Sequence, residues 1–225
     1  MPSAVKMLFF LSSALATVVA VGLLGYGMSA RWATVTMSCA KKGTGNFNGS
    51  ALITMGLFSG ELQRQFCPFG NTDKFQVFSV LQGTAVSLHA VVLVLLGLGL
   101  LFSACTILIS LYNSVSNPYE TFMGPSGVYA CGSLSACLSF VALIIYVVNA
   151  TATSMAEDVV KSDNSDVELR DQSSAMEIGY FFVVPYAVMS LVAVAVIVVY
   201  DRAAYTHRRE QQRPTEDAPK EIMMY

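Results

Sequence analysis

Ala85-Val86-Ser87-Leu88-His89-Ala90-Val91-Val92-Leu93-Val94-Leu95-Leu96-Gly97-Leu98-Gly99-Leu100-Leu101-Phe102-Ser103-Ala104-Cys105-Thr106-Ile107-Leu108-Ile109-Ser110-Leu111 carries no acid, lysine or arginine and sits inside a longer uncharged run from Phe75 to Tyr119. A helix rises about 1.5 Å per residue and the hydrocarbon core is about 30 Å thick, so roughly 20 apolar residues suffice to cross. This stretch passes that test. Working outward from it, three more uncharged runs pass too: residues 7–28, 128–148 and 179–200. They lack the alternation of a barrel strand, and lipid leaves an exposed backbone no hydrogen-bond partner, so all four are read as helices. The expected fold is an all-α membrane protein, a four-helix transmembrane bundle. Its remaining segments are an N-terminal stretch 1–6, a first loop 29–84, a second loop 112–127, a third loop 149–178 and a tail 201–225.

The composition agrees. The chain of 225 residues is 54% hydrophobic and 12% charged, against about a quarter charged in a soluble domain. The net charge is −2 with scattered lysines and arginines, which excludes nucleic-acid binding by a basic patch. There is no paired carboxylate, no Ser/His/Asp set, no histidine-rich box and no phosphate-binding loop, so no catalytic activity, metal or cofactor is expected. His89, the one imidazole near a span, is read as a neutral, satisfied group; a proton relay is the rival reading. For the first run, Lys6 and the small residues near Gly27 and Ser29 leave a cleaved signal peptide as a rival, although 22 uncharged residues exceed the usual ~7–15.

Lysines and arginines alone leave the orientation balanced between the two sides. Arg202, Arg208, Arg209 and Arg213 follow the last span, whereas the third loop is acidic (Glu157, Asp158, Asp163, Asp166, Glu168, Asp171, Glu177). Basic residues beside a span are attracted to the anionic cytoplasmic leaflet. Both termini are therefore expected in the cytoplasm, with the first and third loops outside, at the plasma membrane.

Of five cysteines, only Cys39 and Cys67 lie outside the spans, where an oxidising lumen permits a bridge. On the chain-entropy model that closure adds about 3–4 kcal/mol. Cys105, Cys131 and Cys137 are read as small packers, with acylation of Cys105 as a rival. Asn48-Gly49-Ser50 in the first loop fits the glycosylation pattern; Asn149-Ala150-Thr151 also fits but abuts the third span, out of a transferase's reach. Trp32–Cys39 and Ala51–Phe58 are rich in β-formers and predict a small antiparallel sheet outside, the rival being an irregular disulfide-closed loop.

The second loop, with Asn117-Pro118-Tyr119 and Gly124-Pro125-Ser126-Gly127, is built to stop one helix and start the next. The third loop and the tail after Arg202 are read as polar and mobile. Small residues at helical spacing, Ala16/Ala20, Gly99/Ser103, Gly132/Ala136 and Ser135/Ser139, allow close helix packing, either within the bundle or between copies in a homo-oligomer. Pro185 is expected to bend the last span. The terminal Ile222-Met223-Met224-Tyr225 offers an adaptor a strand-addition motif.

Trp32, Gly56-Leu57-Phe58 and Cys67 in a large outer loop resemble the marks of the claudin-like tetraspan superfamily, with Phe58 where a second tryptophan is usual. Arg64-Gln65-Phe66-Cys67, the inner-loop string from Tyr112-Asn113 through Asn117-Pro118-Tyr119-Glu120-Thr121-Phe122 to Gly124-Pro125-Ser126-Gly127-Val128-Tyr129, and the terminal Met224-Tyr225 resemble the clarin family. The inner loop and the tail Glu210-Gln211-Gln212-Arg213-Pro214 are most like its third branch. The resemblance implies a non-enzymatic protein that organises membrane, actin and channel complexes, in a family tied to the perception of sound. The partners expected are the lipid bilayer, other membrane proteins through the first loop and spans, and cytoplasmic adaptors at the tail. A channel or auxiliary channel subunit is the alternative.

Overall fold

The computed structural model describes residues 3–41, 49–65, 70–115, 123–153, 155–162 and 167–211. Asn48, Cys67, Asn117, Pro118 and Tyr119 lie outside the described residues. The elements in chain order are helix α1 (Ser3–Ser29), strands β1 (Ala33–Lys41), β2 (Gly49–Met55), β3 (Ser59–Gln65) and β4 (Asn71–Gln76), the short helix α2 (Val77–Val80), the long helices α3 (Gly83–Val115) and α4 (Gly124–Ala152), helix α5 (Met155–Lys161), strand β5 (Val167–Met176) and helix α6 (Ile178–Gln211).

Four of these helices are long and apolar enough to cross a membrane: Ala4–Ser29, Gly83–Val115, Gly124–Ala152 and Ile178–Thr206. They close a ring in which α1 touches α6 and α3, and α4 touches α3 and α6. Only 33–39% of each hydrophobic window is buried inside the chain. The rest, including Leu8, Leu15, Leu108 and Ile144, is apolar and exposed, as a surface solvated by lipid tails requires. Pro185 lies inside α6.

Inside the ring, helices are joined by side chains that reach a backbone carbonyl or a hydroxyl, between neighbours and, for α3 and α6, across the ring. Ser13 Oγ donates to Ala193 O at 3.1 Å, Tyr129 OH to Ile197 O at 3.2 Å, and Asn149 Nδ2 to Ala85 O at 3.1 Å; Ser103 Oγ and Tyr186 OH are 3.0 Å apart. Such bonds contribute about 0.6 kcal/mol each in a membrane. The start of α4 shows why its sequence reads as a turn. Met123 and Gly124 both have positive φ (54° and 49°) and Pro125 opens the helix, where its missing N–H would have had no partner. A Cβ on Gly127 would lie 3.1 Å from Ile109 Cδ1, so the glycine lets α4 seat against α3.

The strands form one antiparallel sheet in the order β4-β3-β2-β1-β5. Alternation is clean on β2, where Ala51, Ile53 and Met55 are buried. Val35 and Met37 of β1 and Leu62 of β3 join them on one face, which packs on Val77, Leu81 and Ala85 and on Met155, Ala156, Val159 and Val160 of α5.

Two expectations about polar segments are corrected. The third loop is not a mobile connector: it supplies α5 and the ten-residue β5, which pairs with β1 from Ala33↔Met176 to Lys41↔Val167. β5 is mostly exposed, so its order comes from satisfying the free backbone edge of β1 rather than from apolar burial. A bulge between Thr36 and Ser38, opposite Asp171 at φ 55°, sets its register. Likewise α6 does not end near Arg202 but continues to Gln211.

Candidate interaction site at the sheet–bundle junction

The sheet meets the bundle at a joint built around Trp32. The ring is fully buried, and its Nε1 donates to Gly27 O, the last turn of α1, at 2.8 Å. Its backbone N–H donates to Met55 O at 2.7 Å, and its carbonyl accepts from Glu177 N at 2.8 Å. One residue thus ties α1, β2 and the lead into α6. Tyr146 of α4 stacks edge-on at 4.8 Å between centroids and Tyr180 of α6 at 6.3 Å.

Gly179 is the counterpart on α6. Its N–H donates to Arg31 O at 2.8 Å. A Cβ there would fall 2.6 Å from Arg31 O, 2.8 Å from Gly27 O and 2.7 Å from the Trp32 ring, so only glycine permits this approach. Thr34 Oγ1 adds a 2.8 Å bond to Glu177 Oε1.

The Gly56-Leu57-Phe58 turn makes the second half of the joint. Gly56 N donates to Ser59 O at 2.9 Å, closing the β2–β3 hairpin, and Val77 N donates to Phe58 O at 3.0 Å. Leu57 is buried and its carbonyl lies 2.7 Å from His89 Nε2. A carbonyl only accepts, so Nε2 carries the proton. His89 is fully buried between Phe78 and Tyr146, with ring centroids at 5.5 and 6.3 Å, and its Nδ1 is buried without a hydrogen-bond partner. Phe58, by contrast, is 51% exposed. The turn therefore sends one side chain inward, a carbonyl down to α3 and an aromatic ring outward.

The other sequence-predicted positions disperse. A Cβ on Gly99 would lie 3.1 Å from Tyr186 OH, and one on Gly132 would lie 2.5 Å from Val194 Cγ2. Ser103 and Ala136 are buried. All four face the chain's own helices. Cys39 is buried, while Cys105, Cys131 and Cys137 are free thiols. Asn149 is buried and committed to Ala85 O. Among the described residues no cluster of three or more His, Cys, Asp or Glu side chains is placed to hold a metal.

Sequence reasoning missed Tyr146, Glu177 and Gly179 as parts of the joint; it put His89 near the outer end of the second span as a satisfied group but named no partner for it. The available signal was that His89 is the one histidine in an apolar run without acid, lysine or arginine.

Comparison of the sequence with known proteins gives the chain its relatives. Residues 5–199 match the profile of the Clarin-2-like family. The chain belongs to the clarin family. It is 30% identical to human Clarin-3 (Homo sapiens) over 233 residues, covering 100% of both chains. It is 32% identical to mouse Clarin-3 (Mus musculus) over 181 residues, covering 79% of this chain and 80% of the relative. Rat Clarin-3 (Rattus norvegicus) is 31% identical over the same coverage. This clarin is a multi-pass integral membrane protein of tetraspan type.

Proposed function

We propose that this clarin is a non-enzymatic organiser of membrane complexes, with a tetraspan bundle that anchors and an outer sheet that meets partner proteins. The observation that supports this reading is the joint itself: hydrogen bonds from Trp32, Glu177, Gly179 and His89 fasten the sheet to three spans. The sheet is thus a rigid platform rather than a tethered loop. Both termini lie in the cytoplasm at the plasma membrane, and the sheet faces outside. There Cys39 pairs with Cys67 and Asn48 carries a glycan. The tail after the last span meets cytoplasmic adaptors, and by resemblance to clarins the setting is a sensory cell that serves hearing.

Proximity labelling from the C-terminus of the full chain tests the organising role. Enrichment of membrane and cortical proteins is expected; recovery of none contradicts it. Reconstitution in liposomes separates the channel alternative. The core of the ring is filled by Val92, Leu96, Tyr146, Val183 and Tyr186, all buried, so no ion flux is expected. Flux abolished by a substitution at His89 or in the sheet would favour a channel instead.

A further inference from the structure

We propose that a cleft beside the joint holds the headgroup of a phosphocholine lipid from the leaflet on the sheet side. The cleft, about 290 Å³, lies between the end of α1 and the β2–β3 hairpin, and Met28, Arg31, Phe58, Glu61 and Lys74 are among its lining residues.

Its depth follows from the neighbouring bonds. Met28 to Arg31 are the residues at which α1 ends, and Arg31 O is bonded to Gly179 at the start of α6. Leu57, next to Phe58, is bonded to His89 within α3. The cleft therefore opens where the spans leave the hydrocarbon, at the level of lipid headgroups.

Its chemistry selects the headgroup. Arg31 and Lys74 are exposed and Glu61 is half-buried. None of the three is in an ion pair or side-chain hydrogen bond among the described residues, although Glu61 and Lys74 are directly opposite in the β3–β4 register. Two uncommitted cations, one with a planar fork of donors, suit the oxygens of a phosphodiester. A lone carboxylate beside an exposed phenyl ring suits a quaternary ammonium, which is drawn to an aromatic face. A phosphocholine carries both groups a few bonds apart. A glycerol headgroup offers Glu61 no cation, and a primary ammonium, being more strongly hydrated, gains less from Phe58.

The test is native mass spectrometry of the full, delipidated chain in micelles, offered equal amounts of phosphatidylcholine, phosphatidylethanolamine and phosphatidylglycerol. Wild type is expected to retain phosphatidylcholine preferentially. Arg31→Gln with Lys74→Gln is expected to lower that retention about tenfold or more, the size of a lost charged hydrogen bond. Phe58→Leu is expected to lower it about two- to fivefold, with phosphatidylglycerol unchanged, and Glu61→Gln to erase the discrimination between the two lipids. Fluorescence of Trp32, the single tryptophan, reports that each variant keeps the joint. Equal retention of the three lipids by wild type, wild-type retention of phosphatidylcholine by the double variant, or wild-type selectivity in Glu61→Gln, overturns the proposal.

Discussion

Within the four spans, contact is made by small residues and by polar side chains that reach a neighbouring backbone, whereas the five strands are held by a ladder over one apolar face. The difference follows from the solvent. In lipid, a leucine gains little by turning inward: Leu96 is fully buried while Leu108 is 67% exposed, two residues of one helix. Packing quality and hydrogen bonds decide there. In water the same residue types are sorted, so Val35, Ile53 and Leu62 go under the sheet while Thr36, Ser50 and Gln63 stay out. The joint at Trp32 lies where the two regimes meet, and Trp32 uses both: a fully buried aromatic body, and hydrogen bonds at its indole N–H, backbone N–H and carbonyl.

The sharpest way to break the comparison is Trp32→Ala, which removes the body shared by both regions. A loss of about 3–5 kcal/mol is expected, read as unfolding of the full chain by denaturant in micelles. A loss confined to the sheet, with the helices unaffected by circular dichroism, would mean that the regions are not coupled. Next is Gly179→Ala. Its Cβ would meet two carbonyl oxygens, at 2.6 and 2.8 Å, and backbone cannot rotate away, so a loss of about 2–3 kcal/mol is expected. The same change at Gly132, where the neighbour is the Val194 side chain at 2.5 Å, is expected to cost less than about 1 kcal/mol because a rotamer change relieves it. His89→Phe keeps the ring contacts but leaves Leu57 O without its donor; about 1–2 kcal/mol is expected, with Gln at this position recovering part of it. The smallest effect is assigned to Glu157→Gln on α5, which breaks the 2.6 Å pair with Lys161. Both partners are more than 40% exposed, so solvent screening limits the change to about 0.3–0.5 kcal/mol.

The spans were legible because charge is excluded from them, a signal that needs no partner residue. β1 and β2 were legible for a different reason, their richness in β-formers such as Thr34, Val35, Thr36, Ile53 and Thr54. β5 was not. Ser173-Ser174-Ala175 is poor in β-formers and exposed, and its strand state is conferred by β1, more than 130 residues earlier in the chain, as in the pair Thr36↔Ser173. Helix α5 carried a signal that went unread: Met155, Ala156, Val159 and Val160 fall on one face at helical spacing, but seven residues are too few to stand out. The joint was half visible. Trp32 and Gly56-Leu57-Phe58 stood out as a motif, while the roles of His89, Glu177 and Gly179 depend on Leu57, Trp32 and Arg31, contacts that no local pattern encodes.

Hydrogen–deuterium exchange of the full chain in phospholipid nanodiscs tests the central claim most directly, that four lipid-solvated spans carry a sheet fastened to them. Slow exchange is predicted over Ala4–Ser29, Gly83–Val115, Gly124–Ala152 and Ile178–Thr206, and also over Ala33–Lys41 and its partner Val167–Met176. Exchange at the rate of open polypeptide in any of the four helices, or throughout Val167–Met176, would contradict it.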